Sequence, residues 1–284
     1  MFGRVRAENQ LFFLNTGKIE GIQSYSVNNN FGNFTLKYLG VGNKSLNQTV
    51  NSEQYADLNI QSYLVQEDIF IQQTGNNPIN CFILCNSGDI NPYFLLSGYM
   101  SSYSAKFAPN QIPQINTSFR FYNNVGAVTT GSLDRNSFLQ LSGIYNNIYP
   151  NFNNKIADCN YLNLTINEST GNRILDFGFD MNINRAPIYN IGYPPFKRTE
   201  IVYPIDLSCD LTFEADDDFI DFNLDDFPIS GIKQNIQIDT RSHGDDALMR
   251  QYYFTGMTLV ANNRSVNVDG NVSIVRKYIG QIFN

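Results

Sequence analysis

The sequence predicts a mainly β protein built from two similar β-sandwich or barrel domains, each with at most a short helix. Apolar and polar residues alternate along most of the chain, and sustained helical periodicity is scarce. The order of alternating segments in the first half also returns in the second.

Taken in order, NQLFFLNTGKIEGIQSYSVNNNF (9–31) reads as an apolar strand, a Thr16-Gly17 turn and a second strand. NYLNLTINESTGNRILDFGFDMNI (160–183) repeats it, with the turn at Thr170-Gly171. Tyr25, Val27 and Phe31 fall in register with Phe177, Phe179 and Ile183. Leu175 through Ile183 places every second residue on one apolar face, with Asp176, Gly178, Asp180 and Asn182 opposite.

Each second strand runs into a turn. NNNFGNFTLKYLG (28–40) ends at Gly40, and NINRAPIYNIGYP (182–194) contains Arg185, Pro187 and Gly192. Pro187 fixes its own φ, withholds a donor and extends Ala186, while Gly192 supplies a conformation other residues resist. Thr35 stands at the Pro position in the first copy, predicting a looser turn.

Next, ADLNIQSYLVQEDIF (56–70) matches IDLSCDLTFEADDDF (205–219), with Leu58, Ile60 and Leu64 in the places of Leu207, Cys209 and Phe213. YMSSYSAKFAPNQIPQINTSFRFYNN (99–124) matches YFTGMTLVANNRSVNVDGNVSIVRKY (253–278) as two strands around a polar turn. Four blocks in one order and one alternation phase imply internal duplication, because a one-residue slip would invert every apolar set. The expected division is a first copy over 1–130, a linker or insertion over 131–158, and a second copy over 159–284. Helix is expected only at HGDDALMRQYY (243–253), where Asp245 and Asp246 suit a first turn, and more weakly at RNSFLQLSGIY (135–145).

Composition narrows function. Hydrophobic residues are 42% of the chain and charged residues only 16%, below ordinary usage. Asn, Ser, Thr and Gln fill the gap, giving a hydrogen-bonding surface rather than an ionic one. A net charge of −7 argues against gripping nucleic acid by its phosphates, which needs clustered Lys and Arg. Tyr and Phe (17 and 22) interleave with Asn, Ser and Asp, so they read as strand cores and subunit contacts. No secretory signal or membrane-spanning run is read, which points to folding in a cytoplasm. The Asn-x-Ser/Thr triplets, such as Asn163 to Thr165, are expected by chance.

Residue patterns for catalysis or metal binding are sparse. Cys81, Cys85, Cys159 and Cys209 are too scattered for a disulfide framework. Cys81 and Cys85 share one strand face, which favours a buried thiol pair over a metal site or a bridge. His243 is the single histidine, and Ser242, His243 and Asp245 are sequence neighbours, whereas triad members meet across a fold. No phosphate-cradling glycine motif occurs. The acidic run EADDDFIDFNLDDF (214–227) holds Asp216, Asp217, Asp218, Asp221, Asp225 and Asp226. It reads as a solvated or lumen-facing loop, with a cation site or paired catalytic carboxylates as lesser readings. No enzyme activity, cofactor or metal is expected.

RILDFGFDMNINRAPIYNIGYPPFKRTEIVYPIDLSCDLTF and SGYMSSYSAKFAPNQIPQINTSFRF resemble segments of tail-tube-like major structural proteins of tailed bacteriophages. The Arg185–Gly192 segment is the best match. The first copy lacks its Arg and Pro, and Asn110 stands where Gly is usual. The resemblance implies a virion protein whose subunits form six-fold rings that stack into a DNA-conducting tube. Two copies per chain imply a trimer with pseudo-six-fold symmetry. Implied partners are further copies of the chain, other virion proteins and passing DNA held without tight binding, and no membrane. A neck or stopper ring, baseplate piece, capsid decoration or carbohydrate-binding adhesion module are the alternatives.

Overall fold

The computed structural model describes residues 10–15, 17–30, 33–39, 45–51, 55–65, 68–85, 93–122, 125–127, 157–167, 169–171, 174–190, 193–214, 233–243, 247–266 and 272–283. The first half runs β1 (Gln10–Leu14), β2 (Gly17–Ile19), β3 (Ile22–Asn30), β4 (Asn33–Leu39), β5 (Ser45–Asn51), β6 (Tyr55–Tyr63), β7 (Ile79–Cys85), β8 (Tyr93–Phe107) and β9 (Gln114–Phe121). A short β10 (Val125–Ala127) pairs with β8. The second half runs β11 (Ala157–Ile166), β12 (Ser169–Gly171), β13 (Ile174–Asn182), β14 (Arg185–Asn190), β15 (Tyr193–Ile201), β16 (Ile205–Glu214), β17 (Lys233–Ser242), β18 (Leu248–Val266) and β19 (Val272–Ile282). Among the described residues the one helical element is a 3-10 turn at Ile71–Gln73. The protein is mainly β.

Fifteen strands form one antiparallel sheet. In the first half the spatial order is β3-β6-β9-β8-β7-β1-β2, and in the second it is β13-β16-β19-β18-β17-β11-β12. The two orders are the same order. Each half also sets aside a two-stranded ribbon after its third strand, β4–β5 and β14–β15. Register irregularities coincide as well. The β3–β6 ladder skips Gln23, and β13–β16 skips Leu175. The β8–β9 ladder skips Ser101, and β18–β19 skips Val260. The β7–β8 ladder shifts at Asn80, and β17–β18 at Asn235.

The halves share a sheet through β8 and β13. Phe107 faces Phe177, Ala105 faces Phe179, and Tyr103 faces Met181. Beyond the ladder the Ile183 amide donates to the Ser101 carbonyl at 2.8 Å. Phe179 then meets the rings of Tyr103 (5.5 Å), Tyr252 (5.1 Å) and Phe254 (4.8 Å). The first part of β18 therefore folds back over β13, and one apolar cluster spans both halves. In the first half Phe12 of β1 likewise packs edge-on against Tyr25 of β3 at 4.5 Å. A buried polar group pins this seam. Asp68 accepts from Tyr103, from Tyr252 at 2.9 Å, and from the Phe70 amide at 3.0 Å.

Several expectations are corrected. HGDDALMRQYY is no helix where described: Leu248 onward is the start of β18, whose Tyr252 is buried and Tyr253 exposed. The cross-strand ladder with β17 overrides weak local helical preference. RNSFLQLSGIY lies outside the described residues. Thr170-Gly171 is part of β12, not a turn, and the chain reverses after Asn167 instead. Leu175 leaves the apolar face and is exposed, because the bulge there shifts its phase. Shared ladders also move the β6–β16 match by two residues, so Leu58 and Ile60 correspond to Cys209 and Leu211. A two-residue slip preserves facing, which is why alternation alone did not detect it.

Arg185 and Pro187 lie in strand β14 rather than in a turn, with Pro187 opposite Thr199. Gly192 and Gly40 fall between the two strands of their ribbons, outside the described residues. The expected separate domains share one sheet.

Candidate functional site

A polar sheet face is the surface these elements build together. Buried residues of β6, Ala56, Leu58 and Ile60, point into the core, which obliges Asp57, Asn59 and Gln61 to face the other way. The same phase puts Ser24 and Ser26 of β3 beside them, with Asn116, Ser118 and Arg120 of β9 on the other flank. Side chains bond across the strands. Ser24 Oγ donates to Gln61 Oε1 at 3.2 Å, and Ser118 Oγ donates to Asn59 Oδ1 at 2.7 Å. Arg120 grips Asp57 by two hydrogen bonds, 2.7 and 3.1 Å, and lies over the Tyr55 ring at 4.2 Å. That paired carboxylate raises the Arg120 pKa.

The face continues across the seam. Ser104 pairs with Asn116 on one side and Asp180 on the other, and Asp180 pairs with Ser208. Lys106 Nζ lies 3.4 Å from Asp176, and Lys277 Nζ 3.9 Å from Asp210. Gln281 donates to Asp206 at 3.0 Å. Burial, and then the neighbouring Asp210 charge, raises the pKa of Asp180, while Lys277 opposes them. The face holds an open concavity of about 590 Å³ lined by Ser24, Asn59, Ser104, Asn116, Asp180 and Ser208. Among the described residues this face carries six carboxylates, Asp57, Asp176, Asp180, Asp206, Asp210 and Glu214, and three cations, Arg120, Lys106 and Lys277. Chemically this is a polar, weakly acidic surface. Among the described residues it offers no apolar pocket and no cluster of cations to hold a phosphate chain.

The sequence-predicted site residues distribute differently. Asp216, Asp217, Asp218, Asp221, Asp225 and Asp226 lie outside the described residues. Arg185 is a clamp: its Nε donates to the Met100 carbonyl at 2.7 Å and its Nη2 to Thr74 and Gly75 carbonyls at 3.0 and 2.8 Å. It thereby ties β14 to the first half. His243 is exposed at the end of β17, and Cys81 and Cys209 are free buried thiols whose pKa values burial pushes up. The Cys85 side chain lies outside the described ones. Among the described residues no His, Cys, Asp or Glu group could hold a metal ion, and no helix is long and apolar enough to cross a membrane.

Alternation marks the polar residues of β13 and β16 but not that β8 joins them to Asn116 and, through β9, to Asn59. Alternation identifies a face for each strand; only pairing makes faces contiguous. No family model matches the chain, and comparison with curated proteins returns no match.

Proposed function

We propose that this is a structural virion protein, without enzymatic activity, that forms stacked pseudo-hexameric rings of a phage tail tube conducting DNA. One observation carries the reading: two halves of one chain, with the same strand order and coincident bulges, occupy successive places along one sheet. They constitute a duplicated β-sandwich unit, approximately residues 1–130 and 159–284, joined by 131–158. Repeating the step from one half to the next generates a head-to-tail array, and three chains supply six equivalent places if the rotation closes.

The polar face suits the wall of such a conduit. Hydrogen-bonding Ser and Asn side chains keep it wet, and its acidic excess repels a phosphate backbone. The resemblance of the Arg185–Gly192 segment and of 97–121 to tail-tube proteins supports the same reading. The protein then resides in the virion after assembly in the bacterial cytoplasm.

Electron microscopy of the purified chain, concentrated and in particles, tests this. Rings or tubes with a subunit number divisible by three are expected. Compact monomers at high concentration, together with absence from virion tubes, would overturn it.

A further inference from the structure

The internal seam predicts where the next copy binds. Strand β8 carries neighbours on both edges over its second part: β9 on one and β13 on the other. Its counterpart, the second part of β18, pairs with β19 alone among the described residues. Strand β3, the counterpart of β13, pairs with β6 alone among the described residues. The sheet thus ends, at two places, in the two edges that meet at its own centre.

We propose that the second part of β18 of one chain pairs antiparallel with β3 of the next copy, in the register of the β8–β13 seam. This rests on the ring reading above and names its contact. The shared bulges transfer the register residue by residue. Tyr103 opposite Met181 becomes Asn262 opposite Asn29, and Ser104 opposite Asp180 becomes Asn263 opposite Asn28. Ala105 opposite Phe179 becomes Arg264 opposite Val27, and Lys106 opposite Gly178 becomes Ser265 opposite Ser26.

Burial supports the assignment. Within the chain Tyr103, Ala105, Phe179 and Met181 are buried, whereas Asn262, Arg264 and Asn29 are exposed and Val27 is half-buried. The external seam is therefore a polar version of the internal one. Polar and charged residues on an open edge suppress indiscriminate strand pairing, so free subunits stay soluble. Asn262 and Asn29 can still bond across the ladder once register is reached. A ring built this way alternates tight seams inside each chain with weaker, polar seams between chains.

The full chain carrying Asn28→Cys and Asn263→Cys tests the contact after assembly and mild oxidation. Opposed residues come within disulfide reach, and diagonal ones do not. Covalent dimers and trimers are expected on non-reducing gels, at least about tenfold above Asn28→Cys with Ser265→Cys. Rings by microscopy without these links would overturn the seam and leave the ring reading standing; no rings at all would overturn both. Independently, Asn28→Glu with Asn263→Glu should stay folded by circular dichroism yet abolish rings, and Asn28→Glu with Asn263→Lys should restore them. Equal assembly of the two charge variants would overturn the register.

Discussion

Asn15 and Asn80 hold one another by two reciprocal hydrogen bonds: the Asn15 amide donates to the Asn80 carbonyl at 2.7 Å, and the Asn80 amide to Asn15 Oδ1 at 2.9 Å. Asn80 Oδ1 in turn accepts from the Ser97 amide at 3.1 Å. Asn167, Asn235 and Gly256 make the same three bonds in the second half, at 3.0, 2.9 and 3.1 Å. Asn15 and Asn167 are left-handed (φ 51° and 46°), as are Ser97 and Gly256 (58° and 66°). Asn tolerates that region because its short amide bonds locally.

Replacing Asn15 or Asn167 by Ala should therefore cost about 1–3 kcal/mol each, since the φ becomes strained and a backbone donor loses its acceptor. Gly at either site should cost less than Ala. Urea unfolding of the four variants measures this, and the same ranking is expected in both halves.

A size exchange marks another equivalent pair of sites. Gly98 makes room for the Phe121 ring opposite it, and in the second half Gly280 makes room for the Met257 sulfur. Large and small residues have traded strands. Gly98→Ala and Gly280→Ala should each destabilise by about 1–3 kcal/mol through overpacking. Gly98→Ala combined with Phe121→Leu should recover part of the loss, read by thermal unfolding.

Alkaline unfolding should report the Asp68 group. Burial first, then Tyr252 and Asp68, raises the pKa of Tyr103, and burial and Asp68 do the same for Tyr252. Both favour the neutral phenol in the fold, so above about pH 10 the unfolded chain binds fewer protons. Their stabilisation is complete below that pH and is lost as pH rises through the raised values. Tyr252→Phe should remove about one proton from the slope of unfolding free energy against pH above 10.

Arg185→Lys should loosen the link between β14 and the first half. A lysine cannot reproduce a fork that reaches the Met100, Thr74 and Gly75 carbonyls together. The expected loss is about 1–3 kcal/mol. Hydrogen exchange should quicken around residues 71–76 while β17 stays protected.

Alternation by itself determined the β class, the inward set Leu207, Cys209, Leu211 and Phe213, and the order of repeated blocks, because a strand's facing is a local property with period two. Leu175, the β6–β16 register and β18 at Leu248 escaped it, since bulges and ladder partners come from distant parts of the chain. Only the tertiary structure decided that β8 pairs with β13, merging two polar faces into one wall and two cores into one cluster. Backbone pairing of that kind is nearly indifferent to side-chain identity, so the residues of β8 carry no mark of which strand they will meet. Packing chooses, once Phe179 must find Tyr252 and Phe254 to leave water.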